Sequence, residues 1–543
     1  MSDVNLAAEL LFNKRHLDKP AYVGPDFTLG YAELDRAVRR QAAWMTMQEV
    51  APGERIVIAL DDGPDLAVIF FASLAVGALP VVVSSKLDTA PLRHILGDAE
   101  PLMVYGKAVQ GDTIRAAIDG LAMRPQAFLL EAGWYRTLLA RRVGAAREPA
   151  AAALAGDGFD EQPDEAIDNA VADEWDAAVP RPRHAPALIQ YTSGTTGLSK
   201  GVTHSAASVL ACCAAVTGQL RLTADDVLYS VPKSFFGFGM GNSLFFPLHL
   251  GASAVLDAAW PSAEQVESNL RRFRPTVLFA VPTMYRMLLD NGFGPNDSPL
   301  RLAFSAGAPL AGNTGARWRE RFGFDLHDGI GATELCHVFA TSYPDSLRAG
   351  SLGRLLAGCE ARIVDEAGHD AQPGETGVLV VKSPAVSPGY WRRPQDDAAR
   401  FDGGWYRTGD LFSRDADGFL YFHGREDDRF KVFGRWVVPA EIEARLVAHA
   451  PQLGDCFVVP GREPNGEDRP VLCLRGTHDE AAVQAALAVL RGLDGYKRPV
   501  RLLPVDELPL TPNGKPNRRA LAQLASRALQ DGTGINLVEK STC

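Results

Sequence analysis

Short apolar runs alternate with segments of helical period along the first half of this chain, and that alternation limits the fold more than any other feature. RIVIAL (55–60) reads as a buried strand, a helix follows from Asp65, PVVV resumes at Pro80, and a second helix leads to PLMVY at Pro101. The pattern predicts an α/β fold with largely parallel sheets. The most apolar stretch, LAVIFFASLAVGALPVVV (66–83), approaches the length of a bilayer span. Gly77 and Pro80 divide it, so it reads as a buried helix and strand, with no membrane span. PALIQY (186–191), SAVLDA (253–258), TVLFAVP (276–282) and LRLAFSAG (300–307) continue the series.

Turn signals DEAGHD, PGETG and RDADGF punctuate a β-rich section over 353–422. Beyond Gly424 the pattern resets to a small α+β unit built on RFKVFGRWV, a helix opening at Pro439, CFVVPG, VLCLRG and HDEAAVQAALAVL. The expected architecture is therefore a large N-terminal domain of layered α/β sheets with a β-rich subdomain (1–424), a joint at 425–428, a small α+β domain (429–530) and a flexible tail (531–543).

The 543 residues, 46% of them hydrophobic, suffice for several cores, and a net charge of -11 gives no support to a nucleic-acid footprint. Seven cysteines without a C-x-x-C pair indicate neither a disulfide framework nor a zinc site. The N-terminal residues lack the apolar core of a secretory signal. These features fit a cytoplasmic protein acting on small molecules or protein partners, as a monomer or homodimer. The acidic run over 156–176 reads as a solvated excursion.

YTSGTTGLSKG (191–201) follows a strand and combines glycines, hydroxyls and one lysine. A Walker loop needs G-x-x-x-x-G-K-[ST], and here the lysine precedes a glycine. The register excludes that motif, yet the donors still suit a polyphosphate, with a merely flexible loop as the bland alternative. GFGMGN (237–242) has the wrong spacing for a dinucleotide fingerprint, and no G-x-S-x-G, H-E-x-x-H or kinase catalytic loop occurs.

The loop is followed in order by SAGAPL (305–310), DGIGATE (328–334), WYRTGD (405–410), GREDDRFKVFGRWVVPAEIE (424–443) and LPLTPNGKPNR (508–518). Together these motifs resemble the adenylate-forming superfamily of acyl- and aryl-CoA synthetases, adenylation domains and luciferases. The resemblance covers nearly the whole chain. It implies ATP-dependent conversion of a carboxylic acid to an acyl-adenylate, release of pyrophosphate, and transfer to the thiol of CoA or of a carrier-bound phosphopantetheine on a separate protein. A non-catalytic adenylate binder is the alternative from another class; it has no need of Lys200, Glu334, Asp410 and Lys515 together.

By the same resemblance Thr192, Ser193, Gly194, Thr195, Thr196, Gly197 and Lys200 hold the outer phosphates of ATP. Glu334 holds Mg²⁺, and Thr333 touches the α-phosphate. Gly307, Ala308, Pro309, Asp328, Gly329 and Ile330 cradle adenine, while Asp410, assisted by Arg425, accepts the ribose hydroxyls. Lys515 bridges the carboxylate and the α-phosphate. Asp427 matches the family's hinge, and rotation there brings Lys431, Phe433, Gly434 and Trp436 to the pantetheine arm. The segments 231–256 and 328–339 look most like benzoate- and hydroxybenzoate-type ligases, which places Phe236, Gly237, Phe238, Gly239, Ala306, Gly307, Ile330, Gly331 and His337 around the acid. Four positions depart from the usual pattern: Ser199 stands for proline before the lysine, Ile330 for an aromatic residue, and Gly237-Phe238 for Ala-Tyr.

Overall fold

Arg55–Ala59 is buried at all five positions, as a strand covered on both faces must be. It pairs in parallel with Leu79–Val82 and with Met103–Lys107, and Gln126–Leu130 extends the same sheet. The apolar run 66–83 falls into the helix Pro64–Ala75, with proline in its first turn, and the strand Leu79–Val82. Among the described residues no helix is long and apolar enough to cross a membrane.

The structure is a computed structural model that describes residues 3–140, 175–192, 198–295, 299–308, 310, 312–450, 453–476, 480–509 and 516–537. Nearly all of the acidic run 156–176 lies outside these residues. Packing divides the chain into two units: residues 1–347, 353–360 and 382–406 form the first, and 348–352, 361–381 and 407–543 the second. The division after the large unit thus falls between Tyr406 and Arg407, ahead of the 425–428 segment, and Asp410 belongs to the second unit.

Among the described residues the first unit contains a nine-stranded sheet besides the four-stranded one. Its centre is parallel, as the apolar runs predict: Val227–Ser230, Val277–Ala280, Leu302–Ala306 and Leu326–Gly331 lie side by side in one direction. Its edges are antiparallel, through Val338–Thr341 and Arg354–Leu355 at one side and the hairpin Pro20–Gly24 with Phe27–Gly30 at the other. A third sheet is wholly antiparallel and joins Pro186–Thr192, Lys200–Ser205 and Gly389–Tyr390. The loop after Thr192 therefore sits in a β-hairpin, and the chain returns as a strand before the helix Ala206–Gln219 begins. An extended core of buried apolar side chains in this unit includes Phe70, Phe71, Phe245, Phe246, Phe279 and Phe304.

In the second unit Leu420–Arg425 pairs antiparallel with Trp405–Arg414. Cys456–Arg462, Asp468–Arg475, Arg501–Val505 and Ile535–Asn536 form another sheet. The helices Pro439–His449 and Glu480–Arg491 pack an apolar core on it, and Arg518–Asp531 closes a second cluster. Ile535 pairs with Leu502 and Asn536 with Arg501. The ordered sheet thus reaches beyond residue 531, where the sequence predicts a loose tail, and residues 538–543 lie outside the described residues.

Candidate active site

The hairpin fixes both ends of the phosphate-loop candidate, because Thr192 and Lys200 are register partners. Ser193, Gly194, Thr195, Thr196 and Gly197 lie outside the described residues. The carbonyl of Ser199 meets Nε2 of His94 at 2.8 Å, so the position where the family usually has proline is tied by its backbone. Lys200 Nζ donates to Asp396 Oδ1 at 2.6 Å and lies 5.5 Å from the ring centre of Tyr390. Both members of that pair are partly exposed, at 25% and 32% of their side-chain surface, so the ammonium can exchange its carboxylate for another anion at modest cost. Tyr191 donates to Asp98 at 2.7 Å and Arg393 donates to the other oxygen of the same carboxylate at 2.7 Å, which braces the hairpin against the segment after Tyr390.

Glu334 lies in the short turn Thr333–Leu335 and is buried. The hydroxyl of Tyr390 donates to its Oε1 at 2.6 Å, and the N–H of Ser387 donates to its backbone carbonyl at 2.8 Å. Burial and the adjacent Glu334 carboxylate push the Tyr390 hydroxyl, and that of Tyr406, well above the ordinary phenol range; both stay protonated donors. Tyr390 thus stands between the lysine that ends the phosphate loop and the acid expected to hold a metal.

The adenine candidates come together at the carboxyl ends of two parallel strands, where Ser305 pairs with Asp328 and Ala306 with Gly329. Open sheets of this type present ligand crevices at that end. Gly307 leaves the first strand at φ +92°, a turn that L side chains resist; Ala308 is exposed and Pro309 lies outside the described residues. Burial pushes the Asp328 carboxyl up to about 7, against the pull of the Gly329 and Leu310 backbone and the Ser305 hydroxyl.

The acid-pocket candidates surround Phe238. Its ring centre lies 5.1 Å from His337, 6.0 Å from Phe279 and 6.3 Å from Phe304. Phe236 precedes the helical turn Gly237–Met240, which passes into a π-helical stretch at Gly241–Phe245, a distortion that often marks functional sites. His337 is wedged between Phe238 and Phe246, and burial pushes its imidazole down to about 3, so it is neutral. Gly331 and Gly329 are demanded by space: a Cβ would fall 2.4 Å from the His337 carbonyl oxygen and 2.5 Å from the Phe304 ring. Gly239 faces the Lys233 carbonyl, 2.0 Å from a would-be Cβ, so it serves close packing. Ile330 is half-buried on the same strand.

In the second unit Asp410 and Arg425 are register partners, with Nε 3.3 Å from Oδ1. Asp427 is exposed in the turn Glu426–Asp428. Lys431 and Trp436 face each other across the hairpin Phe430–Val432 with Arg435–Val437, the ammonium 4.7 Å from the ring centre. Phe433 is 62% exposed and Gly434 turns the hairpin at φ +79° with open space beside it. Lys515 lies outside the described residues; the N–H of Asn517 donates to the Pro509 carbonyl at 2.7 Å, closing the base of its loop.

Comparison with known proteins decides the family. Residues 11–391 match the model of the AMP-binding enzyme family. The chain belongs to that family. It is 40% identical over 500 residues to the anthranilate–CoA ligase of Pseudomonas aeruginosa, covering 91% of this chain and 90% of that one. The 4-hydroxybenzoate–CoA/benzoate–CoA ligase of Rhodopseudomonas palustris is 34% identical, with 93% and 91% covered. Among solved structures, the anthranilate CoA ligase AuaEII in complex with anthranoyl-AMP superposes with a TM-score of 0.82 at 27% identity, covering 97% of this chain and 98% of that one. Like these relatives, this AMP-binding enzyme is an acid–thiol ligase of the AMP-forming kind, with ATP and CoA as its class of cosubstrates.

Within this AMP-binding enzyme the motif residues of the first unit meet around partners that the motifs do not contain. Tyr390, Asp396 and Gln190 all lie against candidate residues. Tyr390 and Asp396 stand in GYWRRPQDD (389–397), which carries the aromatic and acidic groups but no spacing that points to Glu334 or Lys200. Only the pairing of Gly389–Tyr390 with the Lys200 strand brings them in.

Proposed function

We propose that the protein activates an aryl acid by attack of its carboxylate on the α-phosphate of ATP, releasing pyrophosphate, and then transfers the aroyl group from the adenylate to the thiol of CoA, releasing AMP. The observation that carries this reading is the single constellation of Lys200, Tyr390 and Glu334, followed three residues on by His337, whose neutral ring packs with Phe238 in an aromatic cluster. Both reactants are anions, so the site must supply positive charge and alignment and needs no nucleophile of its own. Lys200 releases Asp396 to hold the outgoing phosphates. Glu334, kept in place by Tyr390, fits Mg²⁺, which takes one or two carboxylates and completes its shell from phosphate oxygens; when bound, the ion offsets phosphate charge. Asp410, with Arg425 beside it, offers two acceptor oxygens to the ribose diol. The flat, largely apolar walls suit a benzoate ring.

Lys515 then serves adenylation only. Rotation about Asp427 exchanges its loop for the Lys431–Trp436 hairpin, whose open Gly434 lets a pantetheine arm run against backbone. Loading a carrier protein is the second reading of the acceptor, since its phosphopantetheine presents the same thiol. The test is product analysis with ATP, Mg²⁺ and a panel of substituted benzoates, offering CoA or a phosphopantetheinylated carrier. Aryl-CoA and AMP in equal amounts are expected; ATP consumption with alkyl acids alone would refute the aryl assignment.

A further inference from the structure

Gln190 lies on the strand Pro186–Thr192, two residues before the phosphate loop, and is 2% exposed. Its Nε2 is buried with no hydrogen-bond partner among the described residues. Its Oε1 faces the bare side of Gly237, 3.2 Å from where a Cβ would stand, and the Cys336 carbonyl oxygen lies at the same 3.2 Å. Cys336 holds that carbonyl in place through an unusual backbone, at φ +68°. Cys336 precedes His337 and Gly237 precedes Phe238, so the two oxygens lie next in sequence to the Phe238–His337 ring pair. A methyl at Gly237 would stand against both oxygens, and the glycine leaves that side of them free of one.

We propose that Gln190 and the Cys336 carbonyl form a polar notch that reads an amino group on the aryl ring, making the preferred acid an aminobenzoate. This rests on the aryl-ligase reading above and names the substrate class of that same pocket. Two converging acceptors match the two N–H bonds of a primary arylamine, where a hydroxyl offers one. An arylamine is uncharged at neutral pH, in keeping with walls made of an amide, a carbonyl, a neutral imidazole and aromatic rings. A site built around buried polar groups rejects the analogue that leaves them unpaired far more strongly than an apolar site rejects an added group.

The test compares kcat/KM for the three aminobenzoates, the matching hydroxybenzoates and benzoate, in the wild type, Gln190→Leu and Gly237→Ala. The wild type should prefer one aminobenzoate isomer over benzoate by at least about tenfold, and each variant should cut that ratio by about tenfold or more, the loss residing in KM for the amino acid substrate. The ratio is its own control, since a variant that merely folds poorly lowers both rates together. Benzoate used as well as every aminobenzoate by the wild type overturns the proposal, as does an unchanged ratio in both variants; if neither variant folds, the wild-type preference alone decides. No turnover of any aryl acid would instead overturn the aryl-ligase reading on which the proposal stands.

Discussion

Tyr390 holds Glu334 through one hydroxyl hydrogen bond of 2.6 Å, so a single atom tests the constellation. Tyr390→Phe keeps the ring near Lys200 and removes the donor. Hydrogen bonds to charged groups contribute about 1.5–3 kcal/mol, so pyrophosphate release should fall by about tenfold or more, with the Mg²⁺ concentration for half-activity rising; unchanged Mg²⁺ dependence would show that the bond does not position Glu334. Asp328 gives a pH signature. Burial raises its carboxyl to about 7 in the folded protein, so between about pH 4 and pH 7 the folded state keeps a proton that the unfolded chain has released. Stability from that proton is present at low pH and is lost as pH rises through 7. Asp328→Asn cannot ionise, and its Tm should gain on the wild type as pH rises from about 4 to about 7; parallel Tm curves over that range would contradict the assignment. Lys200 and Glu334 were legible in the sequence because their motifs are contiguous. Tyr390 and Gln190 were not, because their roles rest on contacts to residues 56 positions away in one case and to the bare face of Gly237 in the other.

At the scale of elements, the hairpin around the phosphate loop and the helical turns of the acid pocket depend on close backbone approach. Gly239→Ala would place a methyl 2.0 Å from the Lys233 carbonyl oxygen, a clash with backbone that no rotamer relieves. Overpacking of this kind costs roughly 1–3 kcal/mol or more, so the variant should melt several degrees lower, by about 2–4 °C per kcal/mol for chains of 150–250 residues and less for one this long. Gly434→Ala meets open space but a positive φ, and a measured loss of similar size there would point to backbone strain. The parallel centre of the large sheet was readable from short apolar runs, since strands buried on both faces show little else. Its antiparallel edges and the antiparallel hairpin were not, because pairing direction depends on where the chain returns and not on local composition. The helix Pro64–Ala75 was readable, from Asp65 onward, because Gly77 and Pro80 divide the apolar run after it.

For the whole molecule, two units with separate cores suit a reaction whose halves need different groups near one acyl carbon. Lys515→Ala should abolish adenylation yet leave thioester formation from a supplied aryl-adenylate within about threefold of the wild type, as expected for a group used in one transition state only. Equal loss of both half-reactions would contradict the proposed rotation about Asp427. The motif order revealed a two-part molecule, but the place where packing divides it, near residue 406, is set by long-range contacts that no linker composition announces. The most direct measurement of the central claim is ATP–pyrophosphate exchange without CoA. The account predicts exchange that requires an aryl acid and Mg²⁺ and needs no thiol, because the adenylate forms first; exchange that is absent until CoA is added would contradict it.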